Sequence, residues 1–201
     1  AIALTVTPNG QTAIVGDDDG GTWLIDVQDP TNPVSLGHVS DDVDFYEYAV
    51  SPDGNTLYGT NRAIDISNVS SPNTISTWDA GNGFGVAVSN DGNTLYVADW
   101  DTGIRLIDVS DQHNPSSIGV TNTPGGAHSL VLSTSGDTAY VADGDAGLQV
   151  LSFNSPNTLP SIIGSVSTPG DAQGVDIASD GAFAVVADGS GGLQVVDLTT
   201  P

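Results

Sequence analysis

Apolar and polar residues alternate over short stretches of this chain, and the stretches recur. LTVTPNG, YAVSPDG, VAVSNDG and VDIASDG each place apolar residues at every second position before a turn, the pattern of a half-buried strand. Asn9-Gly10, Asp53-Gly54, Asp91-Gly92 and Asp180-Gly181 supply the positive φ of a two-residue hairpin loop, so strand a is predicted to fold back into strand b. Strand b, as in NTLYVAD and DTAYVAD, ends at an acidic turn, and strand c, GIRLIDV or GLQVVDL, follows a glycine. A proline-marked exit leads to a fourth strand such as SSIGVTN or SIIGSVS, and TPGGAH or TPGDAQ crosses to the next unit. No segment repeats apolar residues at i, i+3, i+4, i+7 over three turns, which excludes helical repeats.

The unit has a measurable period. With Asp26, Asn68, Asp108, Ser152 and Asp197 placed in register, successive spacings are 42, 40, 44 and 45 residues. Four antiparallel strands repeated at such a period describe the blade of a β-propeller. The expected fold is all-β, a single propeller domain of about five four-stranded blades near residues 1–44, 45–82, 83–126, 127–171 and 172–201. The last blade lacks its fourth strand, which leaves three arrangements open: a segment of a larger propeller, a three-stranded blade, or a strand donated by another subunit.

Composition narrows the partners. The net charge is −23, from 25 acidic residues against two basic ones, Arg62 and Arg105. Nucleic acid and anionic membrane surfaces are bound by lysine and arginine, so both are excluded as partners. Glu47 is the only glutamate; aspartate otherwise dominates and favours turns over helices. There is no cysteine, hence no disulfide framework. No apolar run approaches the ~18 residues of a membrane-spanning helix. The chain opens on Ala1 without a charged leader, as a processed or excised segment would. Abundant Asp, Ser, Thr, Gly and Asn and the sequon Asn68-Val69-Ser70 point to an extracellular or cell-surface protein.

WLIDVQDPTNP, GIRLIDVSDQHNP and GLQVVDLTTP resemble the LVIVD repeat of bacterial and archaeal surface proteins. The resemblance extends over all five units and is specific in the L-x-[IV]-[IV]-D-[VL] strand and the D-P-x-N-P that follows. It departs at NRAIDISNVSSPN, two residues short between Asn61 and Asn68, and at LQVLSFNSPN, where Ser152 replaces aspartate. The resemblance implies a surface-exposed propeller within a longer polypeptide and carries no catalytic residues with it.

Chemistry is expected where strand a lines the central channel. Alignment of the repeats puts Ile2, Tyr46, Phe84, His128 and Gln173 at one equivalent place, with Asp44, Glu47 and Asp171 beside them. Variation at one position of a regular scaffold suits a binding face; the alternative is that these side chains plug the channel. His128 is the only histidine there, too few for the three ligands of a catalytic zinc, and no activated nucleophile adjoins it. Non-catalytic binding of a protein, a glycan or further copies of the chain is therefore expected, with a surface array or a channel-mouth hydrolase as alternatives.

The acidic turns offer a second candidate. Asp17 and Asp19, Asp99 and Asp101, and Asp143 and Asp145 are spaced as in calcium loops but lack the distant bidentate acid, so no cofactor is required and calcium is the one such turns could hold. The competing reading makes the leading aspartate an Asx-turn residue. Asp26, Asp108 and Asp197 are expected to accept backbone N–H bonds where strand c ends, and Trp23, Arg105, Gln149 and Gln194 to face outward.

Overall fold

The computed structural model describes residues 3–17, 20–40, 46–153 and 158–199. The strands form five antiparallel sheets, each in simple meander order. Blade 1 holds β1 (Ala3–Val6), β2 (Thr12–Asp17), β3 (Gly21–Asp26) and β4 (Val34–Val39). Blade 2 holds β5 (Ala49–Val50), β6 (Thr56–Tyr58), β7 (Arg62–Asp65) and β8 (Asn73–Thr77). Blade 3 holds β9 (Gly83–Val88), β10 (Thr94–Asp99), β11 (Gly103–Asp108) and β12 (Ser116–Thr121). Blade 4 holds β13 (Ser129–Leu132), β14 (Thr138–Ala142), β15 (Leu148–Ser152) and β16 (Ser161–Val166). Blade 5 has three strands among the described residues, β17 (Gly174–Ile177), β18 (Phe183–Ala187) and β19 (Leu193–Asp197). The single helical element among the described residues is a 3-10 turn, Gly189–Gly191.

Alternation along the strands sends one set of apolar side chains to the preceding blade and the other to the following blade. Four clusters result, one per blade interface. Ile14 and Leu24 of blade 1 meet Leu57 and Ile64 of blade 2; Tyr58 and Ala63 meet Val86, Val97 and Ile107 of blade 3. Tyr96, Ile104 and Leu106 meet Leu130, Val141 and Leu151 of blade 4; Ala142 and Leu148 meet Ala184 and Val186 of blade 5. Burying such a side chain contributes roughly 1.5–3 kcal/mol, so the fold is held face to face between blades rather than by one central core.

The hairpin glycines behave as expected, but the loops are longer. Gly10, Gly54, Gly92 and Gly181 have φ of 70–75°. The closing pair is Ser51 N–H to the Thr56 carbonyl, which leaves four residues in the loop; Thr7 and Thr12 repeat this. The hydroxyl of Ser51 explains the extra length: it donates to Asp53 and accepts from Thr56 N–H, closing the loop with side chains.

One register assignment is corrected. Thr56 of blade 2 pairs with Asp65, as Thr12 pairs with Asp26 and Thr94 with Asp108. Asp65, not Asn68, is therefore the strand-end residue of blade 2. Its carboxylate accepts Ser67 N–H, as Asp26, Asp108 and Asp197 accept Gln28, Ser110 and Thr199 N–H. Asn68 takes the place of Asp29 and Asp111 in the exit turn, each accepting the N–H two residues on. The shortening of unit 2 falls in the b–c turn, where Gly59 N–H bonds directly to the Arg62 carbonyl.

Candidate functional site

The b–c turns and the crossing loops between blades lie together on one face, because strand b runs toward that face and strand a starts from it. In blades 3, 4 and 5 the leading aspartate of the turn ties the two together. Asp143 accepts the Thr123 hydroxyl at 2.5 Å and Gly125 N–H at 2.9 Å, both from the preceding Thr-Pro-Gly loop. Asp188 accepts Thr168 and Gly170 in the same way. Asp99 accepts Asn82 N–H from its crossing loop, Asp101 N–H, the Thr102 hydroxyl and the Arg105 guanidinium at 2.6 Å. The Asx turn expected at this position is present at Asp99, whereas in blades 4 and 5 the carboxylate clamps the crossing loop instead.

The clamp redefines the calcium candidates. Asp99 and Asp143 are buried and their oxygens are committed to protein donors. Burial raises the Asp99 carboxyl, but the bonds from Thr102, Arg105, Asp101 and Asn82 outweigh it and leave it below the ordinary range. Burial prevails at Asp143 and pushes it up. Asp101 and Asp145 are exposed, Asp17 ends β2, and Asp19 lies outside the described residues. Among the described residues no three His, Asp or Glu side chains converge on a metal position.

Strand c supplies a second tie to the turns, correcting the outward orientation expected for its polar residues. Gln149 is buried and donates to the Ala146 carbonyl; Gln194 donates to that of Gly191, and Arg105 binds Asp99. Trp23 remains partly exposed, stacked on His38 at 4.1 Å.

At the channel mouth the equivalence of Tyr46, Phe84, His128 and Gln173 holds: the residues that follow Phe84, His128 and Gln173 all pair at the end of strand b. Ile2 and Asp44 lie outside the described residues. Tyr46 stacks on Phe84 with centroids 4.8 Å apart. Phe84 meets the edge of His128 at 5.4 Å, and both contact Trp100, at 5.9 and 4.3 Å. Tyr46 and Trp100 keep exposed surface, so the cluster is an aromatic platform rather than a closed cage.

Trp100 was not legible as a site residue, since it sits inside the Asp-x-Asp turn. The signal for it lies in the neighbouring unit: a Cβ on Gly126 would approach the Trp100 ring to 2.8 Å, so the glycine of the crossing loop gives the indole its seat.

Polar groups rim the platform. His128 Nε2 is buried without a hydrogen-bond partner and faces Asp171 Oδ2 at 4.0 Å, too far for a direct bond. Gln173 donates to the same Asp171 oxygen at 3.0 Å. Burial holds the His128 imidazole below its ordinary pKa, against the pull of Asp171 and Asp143.

Glu47 occupies the position held by Ala3, Gly85, Ser129 and Gly174 in the other blades, and Gly85 makes room for it. A Cβ on Gly85 would lie 2.8 Å from Glu47 Oε2. The carboxyl is largely buried, pushed up to about 7 by that burial although it accepts Val86 N–H and the Ser129 hydroxyl. Ser129 belongs to blade 4, so the Glu47 carboxyl of blade 2 sits beside Gly85 of blade 3 and Ser129 of blade 4.

Five meander sheets packed face to face around a common channel define a β-propeller. The LVIVD repeat profile matches residues 5–41, 63–79, 80–123, 124–168 and 169–201, and the chain belongs to the LVIVD repeat family. Among solved structures it is similar to a functionally unknown protein from Desulfotomaculum acetoxidans, with TM-score 0.82 and 17% identity over 98% of this chain and 68% of that one. The periplasmic gluconolactonase of Pseudomonas aeruginosa superposes with TM-score 0.75 at 15% identity, over 99% and 70% of the two chains. The β-propeller domain of Cps50 (Swd1) from Myceliophteria thermophila gives 0.77 at 13% identity, over 98% and 72%. No curated protein sequence matches the chain.

Proposed function

We propose that this propeller is a non-catalytic extracellular or cell-surface binding module whose channel mouth holds a neutral glycan. The observation that carries the reading is the aromatic platform of Tyr46, Phe84, Trp100 and His128, with the part-exposed Asp171 carboxylate 4.0 Å from His128 Nε2 at its rim. A sugar ring presents an apolar face to stack on the exposed indole and phenol, and one of its hydroxyls can donate to the part-exposed Asp171 carboxylate beside it. The charge of −23 repels anionic ligands and leaves neutral ones unpenalised.

The test is a screen of neutral oligosaccharides followed by tryptophan fluorescence titration. Binding should alter the Trp100 emission and weaken about tenfold in Trp100→Ala, in line with an aromatic contact of about 0.5–1.5 kcal/mol; Asp171→Asn should also weaken it. Failure of every neutral glycan, with a basic peptide bound at Trp100 instead, would replace the glycan with a protein partner.

One observation favours a hydrolytic reading. A buried carboxyl near pH 7, as at Glu47, is suited to general acid–base work. Turnover of gluconolactone, lost in both Glu47→Gln and His128→Ala, would establish it.

A further inference from the structure

The exit turn after strand c has one form in blades 1 to 3 and a different chemistry in blade 2. Asp29 and Asp111 head it in blades 1 and 3 and Asn68 in blade 2, each accepting the N–H two residues on. Asparagine replaces an anionic acceptor with a neutral amide that carries two N–H donors. It also makes Asn68-Val69-Ser70 the one place in the chain where serine or threonine follows an asparagine by two residues with no proline between.

The middle of this turn is anchored and its flanks are open. Val69 packs on the apolar cluster between blades 1 and 2, and its carbonyl rests on Gly37 of β4, where a Cβ would overlap the oxygen. Asn68 and Ser70 on either side are exposed, held by Ser71 N–H on the Asn68 carbonyl at 2.9 Å and Ser70 N–H on Asn68 Oδ1 at 3.2 Å. The reactive groups stay unengaged: Asn68 Nδ2 and the Ser70 hydroxyl make no hydrogen bond among the described residues. Corresponding atoms elsewhere are taken. Thr31, Ser67 and Ser110 donate their hydroxyls to Asp29, Asp65 and Asp108, and the amide nitrogens of Asn55, Asn90 and Asn114 donate to Asp53, the Thr134 carbonyl and Asp111.

We propose that Asn68 is an N-linked glycosylation site that the folded protein presents to the transferase. Exported chains are the ones that meet this enzyme, so the site rests on the extracellular reading above and not on the channel mouth. An acceptor needs an exposed side-chain nitrogen, a hydroxyl two residues on and room for a bulky group. The turn supplies the first two, and it borders a groove lined by Pro8, Asn9, Pro52 and Asn55. The donor is an oligosaccharide joined by its anomeric carbon to a polyprenyl pyrophosphate. As Asn68 Nδ2 bonds to that carbon, the carbon–oxygen bond to phosphate breaks, one Nδ2 proton passes to a base of the transferase, and the lipid pyrophosphate leaves. Strand c runs away from the channel mouth, so the sugars sit on the opposite face and leave the aromatic platform open.

The experiment takes the folded chain from a host without N-glycosylation and incubates it with a single-subunit oligosaccharyltransferase that reads a bare N-x-S/T sequon and its lipid-linked donor. A standard acceptor peptide in a parallel tube reports transferase activity. Intact mass should rise by one glycan, mapped to Asn68, with Asn114 unmodified. The gain should be lost completely in Ser70→Ala and in Asn68→Asp, which installs the residue that heads the turn in blades 1 and 3 and should leave the melting curve unchanged; Ser70→Thr should be modified faster.

A folded chain that gains no mass while the standard peptide does would overturn the proposal, and so would a glycan attached at another residue. If a peptide of residues 64–73 is modified and the folded chain is not, the fold hides the turn. The chain recovered from the surface fraction of its own cells should carry the same modification, and an unmodified Asn68 there would overturn the assignment. The readings separate cleanly. Loss of glycan binding at Trp100 bears on the channel mouth alone, whereas absence of the chain from the surface fraction would refute the extracellular reading and the modification with it.

Discussion

Replacing Glu47 by glutamine should make the protein less sensitive to pH in one direction that can be worked out beforehand. Glu47 titrates from its ordinary 4.5 in the unfolded chain to about 7 in the fold, with burial as the cause. Between those values the folded state holds the proton more tightly, so stability conferred by the neutral carboxyl is complete below pH 4.5 and is lost as pH rises through 7. At about 1.4 kcal/mol per pH unit the loss is about 3 kcal/mol, or roughly 6–12 °C in Tm for a domain of this size.

Glutamine fills the same space, can accept Val86 N–H and never ionises. Tm should therefore be measured for both proteins at pH 5 and pH 8. Near pH 5 the two should melt together; at pH 8 Glu47→Gln should melt higher by the amount lost in the parent. Aspartates held low by neighbouring hydroxyls, such as Asp53, Asp91 and Asp108, titrate below this window. The lowered histidine His128 is common to both proteins and cancels in the difference. Parallel pH profiles for the two proteins would refute the account of Glu47 as a carboxyl held neutral by burial.

The clamp between b–c turn and crossing loop makes a second prediction: Asp143→Ala strands the Thr123 and Gly125 donors and should cost about 2–4 kcal/mol in urea unfolding, whereas Asp145→Ala, at an exposed carboxylate, should stay within about 0.5 kcal/mol. Since the leading carboxylates are spent on that clamp, millimolar calcium should leave the Tm of the parent and of the paired Asp101→Ala, Asp145→Ala variant equally unmoved; stabilisation of the parent alone would restore the metal reading. Gly170→Ala should cost about 1–3 kcal/mol, because its Cβ would overlap the Asp188 carbonyl oxygen, while Gly181→Asn, at an open turn position with φ 70°, should be nearly neutral.

The blade was legible because its signals are local: alternation, turn glycines and the strand-end aspartate all act within a few residues. Blade 2 shows the limit of that reading. Asn68 lay nearer the mean period than Asp65, and the hydrogen bond to the N–H two residues on is made by both, so local chemistry could not separate them. Strand pairing with Thr56 did. The leading aspartates show a different limit. A residue that can close its own turn or reach back to a Thr-Pro-Gly loop 18 to 20 residues earlier looks the same in sequence either way.

The channel mouth was legible in part for a related reason. Tyr46, Phe84, His128 and Gln173 are found by asking which positions vary while the frame stays constant, and symmetry brings them together without knowledge of the packing. Trp100 enters from another turn and its place depends on Gly126 of the next blade, a contact that no periodic pattern encodes. Glu47 goes further, since its place depends on Gly85 and Ser129 at the same position in blades 3 and 4. Repetition lets one blade be inferred from another, but a binding site on a repeat protein arises where equivalent positions stop being equivalent. Glu47, Gly85 and Ser129 differ at one register position because they meet at the axis, and their differences make a single chemical unit from three blades.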